Sequence, residues 1–390
     1  MKNNFITFGK PEITQDDIKE IVKVLRSGWI GLGPKTEEFE KKFAEYQNIK
    51  YAVATNSCTA ALHLALDAVG VKPGDEIITT PFTFAATANV ITHMGAKPIF
   101  VDIDRDTLNI NPNLIEKAIS PKTKAIIPVH IAGRPCEMDK IKILAKKYRL
   151  FIIGDCAHAI ESEYKNTKIG QWADISCYSF YPTKNITAIE GGMAITDNKK
   201  WHETMKIKRL HGISKDAWKR YGKAENNFYE VLYNGYKYNM NDVSAALGLN
   251  QLKRVEKNWQ KRDFLWKKYI GFFRGAENIK IVSSEEKKGE KHAHHLFIVL
   301  LNIDNLRMSR AEIINYLKKN GIGSGIHFLA LHLHPYYKNT YGCKKGDFPE
   351  AEYASQRILS LPLDVNLNIK DILKITKKIR EINGKKYEKR

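Results

Sequence analysis

The chain has 390 residues, 43% of them hydrophobic, and a formal charge of +20 from 63 Lys and Arg against 43 Asp and Glu. That length predicts two or three domains, or one large domain with a smaller one attached, and the apolar content excludes a disordered chain. No apolar run approaches the ~18 residues of a membrane span, and the opening MKNNFITFGKPEITQDD has no apolar signal core.

Short apolar runs at 51–55, 76–80, 98–101, 125–129, 151–153, 175–179 and 193–196 read as strands. Helical patterns at 59–69, 85–93, 112–119 and 138–147 separate the first five. Strands alternating with helices of that length predict a parallel sheet with crossover helices. One long helix is predicted over 241–273, where Val243, Leu247, Leu249 and Leu252 lie on overlapping faces. The charged stretch 283–292 is expected to be exposed, and 295–301 reads as a strand. Ser309 is expected to cap a helix through Asn320, with Glu312 completing a capping box and Gly321 ending it. These elements divide the chain into a large domain, 1–254, and a small α+β domain, 255–390. Roughly the first 30 residues are expected to form an arm against the small domain.

Five cysteines, at 58, 136, 156, 177 and 343, form no Cys-x-x-Cys. Such a count reads as reduced thiols and predicts a cytoplasmic protein. The basic residues are spread along the chain rather than gathered in a stripe with aromatics. This argues against a nucleic-acid groove and leaves an anionic small substrate or a general lysine bias.

Several motifs fail. GWIGLGPK at 28–35 is no phosphate loop, because Pro34 stands where the lysine amine is needed, and no third glycine completes a dinucleotide fingerprint. The histidines at 292, 294 and 295, and those at 327, 332 and 334, match no zinc spacing, so no metal is expected. His327, in GIGSGIHF, is a candidate cleft residue for substrate.

Two segments carry chemistry. In FIIGDCAHA, Asp155 follows a strand end, where parallel sheets bind ligands, and a carboxylate there can hold a positive ring nitrogen. In SCYSFYPTKNITAIEGG, Lys184 follows a strand and sits among apolar and small polar residues. A lysine in a partly desolvated cleft is a nucleophile toward carbonyls. Together they suggest pyridoxal 5'-phosphate (PLP), which needs a lysine and an acid to keep its pyridine nitrogen protonated. Ser57, Cys58 and Thr59 open a helix after the first strand, where backbone N–H groups would cradle a phosphate. Ser179 is a further phosphate donor, and Phe84 a candidate cover for the ring face.

These stretches, with SGWIGLGPK at 27–35, DRDTLNI at 104–110, KTKAIIPVH at 122–130, GYKYNMNDVSAALGLNQL at 235–252 and SLPL at 360–363, resemble the DegT/DnrJ/EryC1/StrS family of sugar aminotransferases. The resemblance covers nearly the whole chain. It is nearest the branch that serves spore-coat polysaccharide and 4-amino-4-deoxy-L-arabinose. It implies a fold type I PLP-dependent transferase, an α/β protein whose large domain holds a mainly parallel seven-stranded sheet flanked by helices. Lys184 then matches the Schiff-base lysine, Asp155 the partner of the pyridine nitrogen, and His158 the residue beside the ring's phenolic oxygen. Ser179, Cys58 and Thr59 match phosphate positions, and Phe84 the stacking aromatic. In the family a neighbouring subunit reaches the phosphate, which implies a homodimer with shared sites. Where many members read Gly-x-Asn-Tyr-Arg, this chain reads Gly235-Tyr236-Lys237-Tyr238-Asn239, so Lys237 or Asn239 takes that contact. Members that act as dehydratases carry His at the lysine position, which Lys184 argues against.

The implied reaction moves an amino group from L-glutamate, leaving 2-oxoglutarate, to a nucleoside-diphosphate 4-keto sugar for lipopolysaccharide, capsule, flagellin or spore-coat glycans. Two other readings stay open. One is a PLP enzyme acting on a small amino acid, with a dedicated arginine for the α-carboxylate. The other is a PLP-fold regulatory protein that binds DNA.

Overall fold

The computed structural model describes residues 5–214, 229–285 and 287–382. Two helices, α1 (Gln15–Ser27) and α2 (Pro34–Gln47), precede the first strand. There follow β1 (Tyr51–Thr55), α3 (Cys58–Ala68), β2 (Glu76–Thr79), α4 (Ala85–His93), β3 (Lys97–Phe100), α5 (Pro112–Ile115), β4 (Thr123–Ile126), α6 (Met138–Tyr148) and β5 (Phe151–Asp155). A two-stranded hairpin, β6 (Glu163–Tyr164) with β7 (Thr167–Lys168), leads to β8 (Ile175–Ser179), β9 (Gly192–Thr196) and α7 (Lys199–Lys208).

All seven expected strands join one sheet, in the order β1-β9-β8-β5-β4-β2-β3. Neighbours from β8 to β3 run parallel. β9 is antiparallel to both β8 and β1. It follows that β1, β5 and β8 point the same way and end on one edge. The pleat sorts alternate residues to opposite faces. Ala54, Ile78, Ile126 and Ile152 enter one buried cluster, while Val53, Ile77, Ala125 and Ile153 enter another. Helices cover both faces, as near-continuous apolar strands require.

The predicted helix over 241–273 is two helices, α8 (Asp242–Leu252) and α9 (Val255–Phe273). The break at Lys253–Arg254 lets the Arg254 guanidinium turn to the buried Asp17 of α1, at 3.0 Å from Oδ1. α8 is buried nearly all round, whereas α9 carries an exposed face and joins a separate cluster with Leu265, Trp266 and Tyr269.

That cluster lies under an antiparallel sheet of β10 (Ile279–Ile281), β11 (Phe297–Leu301) and β12 (Ile358–Leu361). Around it stand α10 (Arg310–Lys319), α11 (Pro335–Tyr341), α12 (Pro349–Arg357) and α13 (Ile369–Glu381). Ser309 and Glu312 form the expected capping box of α10. β11 begins two residues later than predicted, because 293–295 pair with the loop at 132–133 instead. The N-terminal arm is shorter than expected. Ile6 pairs with Gly321 and Gly323, and Lys10 with Asp364 and Asn366, but α1 turns away and packs on α8. No helix among the described residues is long and apolar enough to cross a membrane.

Candidate active site

The ends of β1, β5 and β8 open into a cavity of about 520 Å3. Each strand end contributes chemistry because the chain leaves the sheet there, carrying polar groups where no ladder consumes them. β5 delivers Asp155, β8 delivers Ser179, and the turn after β8 delivers Lys184. The strand β5 runs two residues beyond its predicted end, so Asp155 is its last residue rather than the first of a loop.

Asp155 is 6% exposed. Burial raises its pKa, against the Thr87 hydroxyl, the Ala157 N–H and the nearby Lys184. Thr87 Oγ1 donates to Oδ2 at 2.8 Å, and Ala157 N donates to Oδ1 at 3.2 Å. Thr83 braces Thr87 at 2.9 Å. Burial pushes the Lys184 amine down to about 8, with Cys58 and Asp155 opposing. An amine so placed is in part neutral at physiological pH, as a nucleophile must be.

His158 also lines the cavity, and its Nδ1 accepts from the Ala132 N–H at 3.3 Å. That bond leaves the proton on Nε2. Burial, with the charge of Lys184 and the neighbouring His295 and His327, holds the ring well below the ordinary histidine range. Phe328 stacks on it at 6.0 Å and 11°.

At the end of β1 the chain turns into α3. Ser57 is the N-cap, its hydroxyl accepting from Ala60 N at 3.1 Å. That hydroxyl is therefore engaged in holding the helix, while Cys58 and Thr59 stand at its first turn and line the cavity with it. The backbone of β9 closes in on this turn: a Cβ on Gly192 would lie 2.4 Å from the Ser57 carbonyl. An open helix N-terminus beside a buried carboxylate and a lysine fits the phosphate, ring nitrogen and aldehyde ends of PLP. Phe84 lines the mouth, is 64% exposed, and lies 6.1 Å from Phe328.

His327 lines the cavity too, with Nδ1 3.0 Å from the Ser360 hydroxyl. Burial, then Lys184, lowers it to about 4. Its ring stacks on Phe8 of the N-terminal arm at 5.3 Å. Lys237 and Asn239 do not join this cavity. They flank β1, where Asn239 pairs with Thr55 and the Lys237 carbonyl accepts from Asn56 at 3.4 Å. The loop at 28–35 is not at the cavity either. The N–H groups of its Gly33 and Lys35, and of Thr36 just after it, all donate to the Asp242 carboxylate at 2.9 Å, a cap for α2 supplied from α8.

Sequence reasoning did not place Thr87, Asn185, His295, Phe8 or Phe328 at this site. Thr87 follows Phe84 by three residues, one helical turn, and this spacing is the one local signal that places it on the same wall.

Comparison with known proteins finds relatives along nearly the whole chain. The model of the DegT/DnrJ/EryC1/StrS aminotransferase family matches residues 11–380. An uncharacterized protein of Methanocaldococcus jannaschii is 48% identical over 98% of each chain. The spore coat polysaccharide biosynthesis protein SpsC of Bacillus subtilis is 42% identical, again over 98% of each. Among solved structures, Spr1654 of Streptococcus pneumoniae, described as a sugar aminotransferase in its PMP form, superimposes with a TM-score of 0.90 at 35% identity, covering 97% of this chain and 98% of that one.

Proposed function

The chain belongs to the DegT/DnrJ/EryC1/StrS aminotransferase family, enzymes of the transaminase class that use PLP, and we propose that it moves the amino group of L-glutamate to a 4-keto (deoxy) sugar carried on a nucleoside diphosphate. The product would feed cell-surface polysaccharide synthesis, as the name of its relative SpsC suggests. The observation that carries the reading is the joint placement of Lys184, Asp155 and the α3 N-terminus around one cavity that does not end at the lysine. Phe84 and Phe328 also line a second groove of about 570 Å3, whose wall includes Leu329, Tyr336 and Tyr337. An amino acid needs no such extension, whereas the aromatic lining suits a sugar or a nucleobase. The charge of +20 favours a diphosphate.

PLP, when bound, supplies an electron sink for the carbon that loses its proton. In this assignment the N–H groups at 57–59, the Thr59 hydroxyl and Ser179 would hold its phosphate. Asp155 holds the proton on the ring nitrogen, which offsets the raised pKa that burial alone imposes. His158 donates Nε2–H to the ring oxygen, and Phe84 covers a ring face. Lys184 would hold the aldehyde end of the cofactor, and its amine, once free, is placed to take the proton from the donor's α-carbon and give it back on the cofactor side of the nitrogen. Its lowered pKa suits both halves of that exchange. His327 lies on the side where the acceptor enters and is assigned to substrate. Lys237 and Asn239 stand outside their own cavity, as residues serving the neighbouring subunit of a homodimer would.

The test is an absorbance spectrum of the PLP-loaded protein before and after L-glutamate. A fall near ~410 nm with a rise near ~330 nm is expected, reversed by a keto-sugar nucleotide. A bound cofactor that does not respond to L-glutamate overturns the donor. Conversion that no UDP-, dTDP- or GDP-linked keto sugar reverses overturns the acceptor.

A further inference from the structure

α9 and α13 pack side by side against the small sheet. Their inner faces share one core, Leu265, Trp266 and Tyr269 from the first and Ile372, Ile375 and Ile379 from the second. Arg380 ties them together, donating to the Phe272 carbonyl at 3.0 Å and the Arg274 carbonyl at 2.7 Å. Burial of one face fixes what the other shows, since positions three and four apart lie together. The outer stripe of α9 is Lys257, Lys261, Phe264 and Lys268, and that of α13 is Lys370, Leu373, Lys374 and Lys377. An open groove of about 400 Å3 runs between the helices, with Phe272 on one side and Leu373 and Lys377 on the other.

The charge on this face is not compensated. Among the described residues these six lysines make no ion pair, because the acids of both helices are engaged elsewhere. Glu256 pairs with Lys168 and Lys291, and Asp263 with Lys267 and His294. Asp371 completes the capping box of α13, and Glu381 pairs with Lys378. α1 is the contrast: its Lys19 meets Asp16 at 3.3 Å and its Lys23 meets Glu20 at 2.7 Å. Apolar side chains stand among the uncompensated lysines. Phe264 is 47% exposed, Leu373 46% and Ile369 39%.

Lysines without acids attract a polyanion, and exposed aliphatic and aromatic groups between them gain by leaving water. A bilayer with anionic headgroups supplies both at one surface, phosphates for the ammonium groups and an acyl boundary for the apolar ones. A nucleic acid offers the phosphates but no apolar phase for Leu373 and Ile369. We propose that the α9–α13 face is a peripheral docking surface for an anionic lipid membrane, with the lysines at the headgroups and Leu373, Ile369 and Phe264 at the acyl boundary. The inference is independent of the reading of the cavity.

The experiment floats the PLP-loaded full chain with vesicles of phosphatidylcholine alone, or of phosphatidylcholine and phosphatidylglycerol in equal parts. Binding is expected on the anionic vesicles only, and to weaken with salt. Each lysine at such a surface contributes roughly fivefold to partitioning, so Lys370→Glu with Lys377→Glu is expected to lower it by about 25-fold or more. Leu373→Ser, which leaves the charge alone, is expected to lower it by about fivefold. Lys142→Glu with Lys146→Glu on α6 changes the net charge as much as the α13 pair does, and is expected to leave partitioning within about threefold. If the α13 pair does not fold, Lys257→Glu with Lys261→Glu on α9 replaces it. Equal binding to both vesicles, no binding to either, or an α6 loss as large as the α13 loss overturns the proposal. So does binding to duplex DNA that the α13 pair abolishes and Leu373→Ser spares, which would assign the face to nucleic acid.

Discussion

Thr87 Oγ1 lies 2.8 Å from Asp155 Oδ2, and the two residues sit on different walls of the cavity, one on α4 and the other at the end of β5. The hydroxyl is one of two donors that counter the burial of the carboxylate. It opposes the desolvation that raises the pKa of Asp155, and so favours the ionised form that a protonated ring nitrogen requires. Thr87→Val keeps the shape and deletes the donor. A hydrogen bond to a charged group contributes about 1.5–3 kcal/mol. PLP affinity, measured by equilibrium dialysis, is expected to fall by roughly tenfold or more. An unchanged affinity would remove Thr87 from the account.

The amine of Lys184 makes a second prediction, about stability without cofactor. Its pKa is lowered from 10.5 to about 8, chiefly by burial. Between those values the unfolded chain binds the proton more tightly than the folded one. Stability therefore rises with pH from about 8 to 10.5, and the full penalty applies below 8. Lys184→Met removes it. The PLP-free variant is expected to melt higher than the PLP-free parent at pH 7, with the gap closing as pH approaches 10. The same variant is expected to lose turnover. A gap that is constant across this range would mean that the amine is not desolvated.

Gly192 is required by space rather than by conformation. A side chain there would meet Ser57 C and O at 2.4 Å and Cys58 N at 2.5 Å, all backbone atoms. Backbone cannot swing aside as a flexible side chain can. Gly192→Ala is expected to push β9 off the first turn of α3 and so to spoil the anion cradle. PLP retention after gel filtration should drop sharply while the far-UV circular dichroism of the fold persists. Full retention would show that the turn does not hold the phosphate.

The strands were legible because their apolar runs alternate with helical patterns, and the strand-end residues Asp155, Ser179 and Lys184 were legible with them. Strand direction was not. Nothing in the composition of 193–196 distinguishes the antiparallel β9 from its parallel neighbours, since periodicity carries no sign. The break between α8 and α9 was hidden because it answers to Asp17, more than 230 positions away in the chain. The same distance hid part of the site. Thr87 matters through Asp155, 68 residues on, and Asn185 through Glu161 and His295. Isolated threonines and asparagines have no local signature when their meaning is a long-range hydrogen bond. Histidine 295 was visible, but beside 292 and 294 it read first as a metal question. The three instead divide their work: 292 and 294 pack against Trp266 at a tilt, with ring centres at 4.9 and 4.6 Å, and 295 lines the cavity.

The N-terminal arm makes the last prediction. Its Phe8 stacks on His327, and Gly9 has φ of +67° with Thr183 beneath it. A Cβ at Gly9 would meet Thr183 Cβ at 3.2 Å, next to the lysine turn. Only glycine adopts that φ without cost, about 1 kcal/mol or more for another residue. Gly9→Ala is therefore expected to lift the arm from the cavity rim. The lysine, the carboxylate and the helix cradle all lie on the sheet edge beneath and keep their places. PLP affinity should stay within about twofold of the parent, while kcat/KM for the acceptor half-reaction falls about tenfold, since the arm holds the His327 side of the cavity. Losses of PLP affinity and of kcat/KM in equal measure would mean that the arm supports the cofactor cradle rather than the acceptor side.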